Sequence, residues 1–169
     1  DFYSDNFTSR YDSISKPGEV SRGKDTRKKV HYYNGSLKGI FKLGQAQKFS
    51  VGMEYVKETL MSATDDLDGE NMYTMALFLQ DEIRLWKNFQ AVVGLRYIYN
   101  EFFKNYATPN VALSYKWGDL NFRASYASGF RTPTLSQLYA TDVAKTTDMV
   151  TIPNFNLKPE KSDYFMLNA

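Results

Sequence analysis

The fold is decided by Phe89-Gln90-Ala91-Val92-Val93-Gly94-Leu95-Arg96-Tyr97-Ile98-Tyr99-Asn100. Phe89, Ala91, Val93, Leu95, Tyr97 and Tyr99 share one parity, and Gln90, Val92, Gly94, Arg96, Ile98 and Asn100 share the other. Successive side chains of a strand point to opposite faces, so this period of two predicts a strand with one apolar, aromatic-tipped face. Leu120, Phe122, Ala124 and Tyr126 repeat the pattern against Asn121, Arg123 and Ser125. Val111, Leu113, Tyr115 and Trp117 do so against Asn110, Ala112, Ser114 and Lys116, and Phe49, Val51, Met53 and Tyr55 against Ser50, Gly52, Glu54 and Val56. Seven or eight strands follow, at 2–13, 29–41, 47–60, 72–85, 89–101, 108–117, 119–128 and 162–168. The expected fold is all-β, an antiparallel up-and-down meander of about eight strands.

Composition narrows the function classes. With 43% hydrophobic and 24% charged residues, the 169-residue chain can bury a core. Twenty-one Lys and Arg against 19 Asp and Glu leave a net charge of +2, too even for general binding to nucleic acid. The absence of Cys removes disulfides, thiolate metal sites and thiol nucleophiles, and the single histidine, His31, removes any two-imidazole site. No catalytic residue, resident cofactor or enzymatic activity is expected. Thirteen Tyr, 12 Phe and 2 Trp favour strands and amphipathic surfaces. No apolar run is long enough for a transmembrane helix, but a transmembrane β-barrel alternates apolar and polar residues and escapes that test.

The connections separate a barrel from a sandwich. Short turns at Leu43-Gly44-Gln45, Trp86-Lys87-Asn88 and Gly118-Asp119 alternate with longer segments at 14–28, 61–71, 102–107 and 129–161. Membrane barrels have short turns on one side and long loops on the other. Trp86, Phe89, Tyr115 and Trp117 fall at the short-turn edge, and Tyr73, Tyr97, Tyr99, Phe102 and Tyr126 near the opposite one. Rings at both ends of an apolar band suit two membrane–water interfaces. Asp81 shares the parity of Leu77, Leu79 and Ile83, which predicts either a bulge there or a position below the apolar band.

Three segments stand out in order. The first is Ala76-Leu77-Phe78-Leu79-Gln80-Asp81-Glu82-Ile83-Arg84-Leu85 with Val93-Gly94-Leu95-Arg96-Tyr97. Thr108-Pro109-Asn110-Val111-Ala112-Leu113-Ser114-Tyr115 leads into Phe122-Arg123-Ala124-Ser125-Tyr126-Ala127-Ser128-Gly129-Phe130-Arg131-Thr132-Pro133-Thr134-Leu135. Pro153-Asn154-Phe155-Asn156-Leu157-Lys158-Pro159-Glu160-Lys161-Ser162 completes the set. Together they resemble TonB-dependent outer-membrane receptors of Gram-negative bacteria, the first being similar to a strand, turn and strand of the family barrel. The resemblance implies that residues 1–169 are a partial barrel domain, a portion of a wall of about 22 strands, with the plug and remaining strands outside this chain. It also implies an outer-membrane location, a long extracellular loop at 129–161, and active import of a scarce nutrient such as an iron siderophore, haem, cobalamin or an oligosaccharide. Its partners would be that small molecule, outer-membrane lipid and, through the missing plug, the TonB complex. An isolated segment with open edges is expected to self-associate. The alternative is a soluble β-sandwich that binds carbohydrate through exposed Tyr and Trp.

Phe130, Arg131, Pro133, Pro153, Asn154, Asn156, Leu157 and Pro159 are read as anchors of the base of the long loop, with proline fixing φ where strands end. These boxes also resemble those of haem receptors, but residues 134–153 hold no His, leaving only Tyr139 or Met149 as axial ligands in principle. Arg96, Arg123 and Glu54 are expected to line the lumen, with Glu54, Glu58 and Glu82 as candidate partners for the arginines. Trp86, Trp117, Tyr97 and Tyr99 are the expected belt residues. Asp65, Asp66 and Asp68 are read as a solvated turn in preference to a Ca²⁺ loop, because the EF-hand spacing fails. The basic run from Arg22 to Lys29 reads as a solvated loop, with lipopolysaccharide phosphates or another anion as its other possible contact.

Overall fold

A computed structural model describes residues 2–10, 27–62, 67–139, 142–144 and 149–169. The strands are β1 (Phe2–Arg10), β2 (Arg27–Leu43), β3 (Gln47–Ser62), β4 (Leu67–Trp86), β5 (Phe89–Asn100), β6 (Lys104–Trp117), β7 (Leu120–Arg131), β8 (Asp142–Ala144), β9 (Met149–Thr151) and β10 (Glu160–Asn168), and one turn of helix, α1, covers Leu135–Leu138. Eight strands form one antiparallel sheet in the order β1-β2-β3-β4-β5-β6-β7-β10, each next to its sequence neighbour apart from the insertion that holds α1 and the β8-β9 ribbon. Among the described residues no ladder joins β1 to β10, so the sheet is open. The second sheet is only the β8-β9 ribbon, and nothing in the described structure builds the other half of a sandwich.

Parity sorts the two faces as the alternation predicts. On β5, Val93 and Leu95 are 48% and 50% exposed, whereas Ile98 on the opposite face is 8% exposed. Leu37, Met53 and Leu77, aligned across β2, β3 and β4, continue this uncovered apolar face. The polar face carries Asn34, Glu54 and Arg96, with Ala76 buried beneath them. The small core is also on the polar face, at the end away from the short turns, where Leu60, Met72 and Leu135 meet.

The strands run further toward that end than local propensity predicts. Residues 67–71 join β4 although Asp68, Gly69 and Asn71 favour turns, because β3 supplies a partner as far as Ser62 and the Thr59 hydroxyl lies 2.8 Å from Asn71 Oδ1. Asp68 therefore stands in a strand, while Asp65 and Asp66 lie outside the described residues. The segment expected at 102–107 contracts to a three-residue connection. The fully buried Asn100 accepts from the Phe102 and Phe103 backbone N–H groups at 3.0 Å each, and Lys104 takes φ 67°. The contrast in loop length therefore rests on the first and last connections, not on every second one. β7 extends to Arg131 and β10 begins at Glu160, which shortens the expected 129–161 loop to 132–159.

No bulge occurs at Asp81. The β3–β4 register is unbroken from Gln47–Ile83 to Leu60–Glu70, so Asp81 stays on the apolar face, where Gln47 Nε2 donates to its Oδ2 at 3.3 Å. The ladders of β4 shift register elsewhere, between Leu60 and Ser62 of β3 and between Arg84 and Trp86, and the second shift turns Trp86 toward Phe89. At the same turn end Gly44 and Gly118 hold φ 64° and 58°, a conformation glycine adopts without steric cost.

Candidate functional site

The polar face is built around charge crossing a small residue. Glu54 on β3 and Arg96 on β5 are separated by β4, whose Ala76 is only 3% exposed. A methyl group there lets the two long side chains meet above it, with Arg96 Nη2 donating to Glu54 Oε2 at 2.7 Å. Asn34 Nδ2 extends the network from β2 to Glu54 Oε1 at 3.4 Å. Toward the short turns, Lys48 Nζ lies 3.1 Å from Glu82 Oε1 on the same face. The expected partnership of Arg96 with Glu54 is thus present geometrically, whereas Glu82 pairs with Lys48. Arg123 is exposed, and its register partner is Ser114.

Glu58 has a different role. It is 4% exposed, and its Oε1 accepts from the Leu135 backbone N–H at 3.2 Å, across 77 residues of sequence. Leu135 and Leu138 of α1 are buried, the former beside Leu60 and Met72. Thr134 begins α1 with a reciprocal cap: its hydroxyl accepts from Gln137 N at 3.3 Å, and Gln137 Oε1 accepts from Thr134 N at 3.0 Å. The loop leaving β7 therefore crosses the polar face and docks on β3 and β4. Tyr139 secures its next turn by donating to Glu70 Oε2 at 3.2 Å and packing edge-on to Phe155 at 5.0 Å between centroids. Burial first, and then the negative charge of Glu70 and the bond to it, raise the Tyr139 phenol above its ordinary value.

The two loop boxes meet through backbone. Asn154 N donates to Leu138 O at 3.1 Å, and Asn154 Oδ1 accepts from Asn156 N at 3.0 Å. Pro133 is buried, Leu157 and Pro159 are half-buried, and Pro153, Asn154 and Asn156 are exposed. At the base, Arg131 and Glu160 are register partners joined by an ion pair of 3.4 Å. Phe130 stacks on Tyr106 at 3.8 Å, and Lys161 Nζ lies 5.3 Å from the same Tyr106 ring. The Tyr139 hydroxyl is committed to Glu70, and the Met149 side chain lies outside the described residues.

The apolar face carries aromatic residues at both ends. Trp86 and Phe89 lie 5.6 Å apart and Phe89 and Tyr115 6.4 Å, with exposed Trp117 beyond them. At the other end Tyr73 and Tyr99 lie 6.0 Å apart, with Tyr97 two residues along β5. From Phe89 to Tyr99 the strand rises about 33 Å, which a barrel tilt reduces to about 25 Å.

Comparison with known proteins agrees with this architecture. The model of a family described as TonB dependent receptor-like, beta-barrel, matches residues 1–166. The siderophore receptor PirA from Pseudomonas aeruginosa superposes with a TM-score of 0.76 at 23% identity, over 85% of this chain and 29% of that one. A variant of the ferric enterobactin receptor PfeA from the same organism gives 0.76 at 14% identity, over 98% and 28%. PirA from Acinetobacter baumannii gives 0.66 at 15% identity, over 98% and 28%. The chain thus spans less than a third of the length of each receptor. The search of curated proteins finds no match.

Proposed function

We propose, from the premise that this chain belongs to the TonB-dependent receptor-like β-barrel family, that it forms part of the wall of an outer-membrane receptor that captures a scarce nutrient and imports it with energy delivered through TonB. The observation that carries this reading is the inverted sheet: an uncovered apolar face edged by rings, backed by a polar face with the Glu54–Arg96 network. Lipid satisfies the first face, and a hydrated lumen with its plug satisfies the second. Arg96, Arg123 and Glu54 then line the lumen, and the 132–159 loop lies on the extracellular side. A ferric siderophore is the favoured cargo because the structural neighbours are siderophore receptors, including one bound to enterobactin. The family consists of transporters, and the wall is assigned a binding role without bond chemistry.

The test is uptake of radioactive iron by iron-starved cells, with and without the receptor that contains this chain. Uptake of at least one ferric siderophore is expected to require both the receptor and TonB. No receptor-dependent uptake of any ferric chelate, with receptor-dependent uptake of cobalamin or an oligosaccharide instead, would overturn the siderophore assignment. No receptor-dependent uptake of any nutrient would overturn the transport reading itself.

A further inference from the structure

We propose that Lys42 and Arg84 hold an anionic ferric chelate at the turn end of the polar face, as a station on its way out of the lumen; the proposal deepens the transport reading above and rests on it. The two cations line one notch of about 440 Å³, between the β2–β3 turn and the turn end of β4 and β5, together with Lys48, Glu82 and Gln90. Ala46 O accepts from Arg84 N at 2.7 Å, which fixes the turn against β4, and Gly44 leaves that stretch of the rim without a side chain. A concavity of this volume is on the scale of a small molecule.

Register gathers the positive charge here. Lys42 stands directly opposite Lys48, and Lys48 opposite Glu82. Arg84, Gln90, Ser114 and Arg123 form one row across β4 to β7, which puts Arg123 about 14 Å from Arg84 at the backbone. On the polar face of β2 to β7, between the Gly52–Phe78 pair and the turns, Glu82 is the single acid, against Lys38, Lys42, Lys48, Arg84, Lys116 and Arg123. The turns themselves add Lys87 and Asp119, one of each sign.

That one acid is already occupied. Both Glu82 oxygens accept from Lys48 Nζ, at 3.1 and 3.2 Å, and Oε1 accepts from Gln80 Nε2 at 3.4 Å. Among the described residues Lys42, Arg84 and Arg123 have no carboxylate within ion-pair distance. Like charges directly opposite one another on a sheet cost stability, and an anion seated among them offsets that cost. The notch opens on the polar face, which the transport reading turns toward the lumen, at the end away from the extracellular loop. Ferric iron wrapped by catecholates or carboxylates keeps a net negative charge, whereas a ferric tris-hydroxamate is neutral, so the uncompensated cations favour the first kind of chelate over the second.

The experiment uses the intact receptor, purified and carrying a fluorophore on Gln45→Cys at the rim of the notch, a labelling site made distinct by the absence of Cys from this chain. Ferric tris-catecholate, which is anionic, and ferric tris-acetohydroxamate, which is neutral, are the probes. Quenching by the iron reads occupancy of the notch separately from any site at the loop end. Without further substitution, the labelled receptor is expected to show saturable quenching by the anionic chelate, weakened by added salt, and no saturation with the neutral one. Lys42→Gln with Arg84→Gln is expected to raise the half-saturating concentration about tenfold or more, since each exposed charge pair contributes up to about fivefold. Lys42→Arg with Arg84→Lys, which keeps both charges, is expected to bind as the parent does. Equal half-saturation in the Gln variant, an equal response to the neutral chelate, or no saturation in the parent would overturn the proposal. No saturation in the parent together with a lower thermal stability of the Gln variant would also overturn it, and would assign the cations to an acidic segment of the receptor itself. Uptake by cells separates the two readings: receptor-dependent uptake of a ferric chelate without saturable quenching removes only this inference, whereas no uptake of any nutrient removes the transport reading.

Discussion

Among single residues, Arg96 and Glu54 give the clearest test of the polar face. Their side chains are 38% and 27% exposed, so water screens the pair and its coupling is limited to about 1 kcal/mol. A double-mutant cycle with Arg96→Gln and Glu54→Gln in the folded receptor is expected to return that value, and zero coupling would mean that the 2.7 Å contact is not maintained. Gly52 tests packing on the same face. A Cβ there would meet the Phe78 ring and lie 2.6 Å from Leu37 O, and the carbonyl cannot move without disturbing β2. Gly52→Ala is therefore expected to destabilise by about 1–3 kcal/mol in reversible unfolding. Tyr139 gives a pH signature. Its phenol is raised by burial and by Glu70, so the folded state holds the proton more tightly than the unfolded state. That contribution is complete below the ordinary tyrosine value of about 10 and disappears as pH rises through the folded value. The stability advantage of wild type over Tyr139→Phe should therefore be constant below about pH 10 and shrink above it, as unfolding midpoints measured across that range would record.

At the level of elements, the part legible in the sequence was the part with a local period. Phe89 to Asn100 alternates because Val93, Leu95 and Tyr97 stand on an uncovered apolar face while Arg96 and Asn100 stand on the polar one, and β5 forms over those residues. The bulge between Arg84 and Trp86 left no such mark, since a single extra residue changes parity without changing composition. The early start of β4 was hidden because Asp68, Gly69 and Asn71 carry turn propensity that pairing with β3 overrides. Docking of α1 was equally hidden. Glu58 is recognisable as a strand carboxylate and a candidate partner for an arginine, but it bonds the Tyr32 hydroxyl and a backbone N–H 77 residues away, and no local pattern encodes that distance. The cap was readable in principle, for Thr134 and Gln137 have capping-box spacing. Removing it tests whether so short a helix matters to the loop. Thr134→Ala is expected to weaken α1 docking by about 1 kcal/mol, seen as faster amide exchange at Leu138 and Tyr139 while β3 remains protected. Unchanged exchange there would mean that Leu135 and Leu138 hold the loop without the cap.

For the whole molecule, the decisive quantity is the difference between faces, because either a soluble protein or a membrane wall can expose some leucine. Leu95 is half exposed near the middle of the apolar band on β5, six residues from Phe89 and four from Tyr99. Gln90 lies on the polar face of the same strand, near Glu82 and Arg84 in the groove at the turn end. If the apolar face meets lipid, a lysine at the first position must bring its ammonium into hydrocarbon, and one at the second remains in water beside a carboxylate. Leu95→Lys is therefore expected to destabilise the receptor in a bilayer by about 2–4 kcal/mol, and Gln90→Lys by less than about 0.5 kcal/mol. In a water-soluble sheet the first substitution would be nearly neutral, because it would add charge to an already exposed surface. Unfolding of both variants from phospholipid vesicles reads the difference directly. Equal effects would mean that the apolar face does not contact hydrocarbon, leaving the paired rings at its two ends without a membrane to explain them.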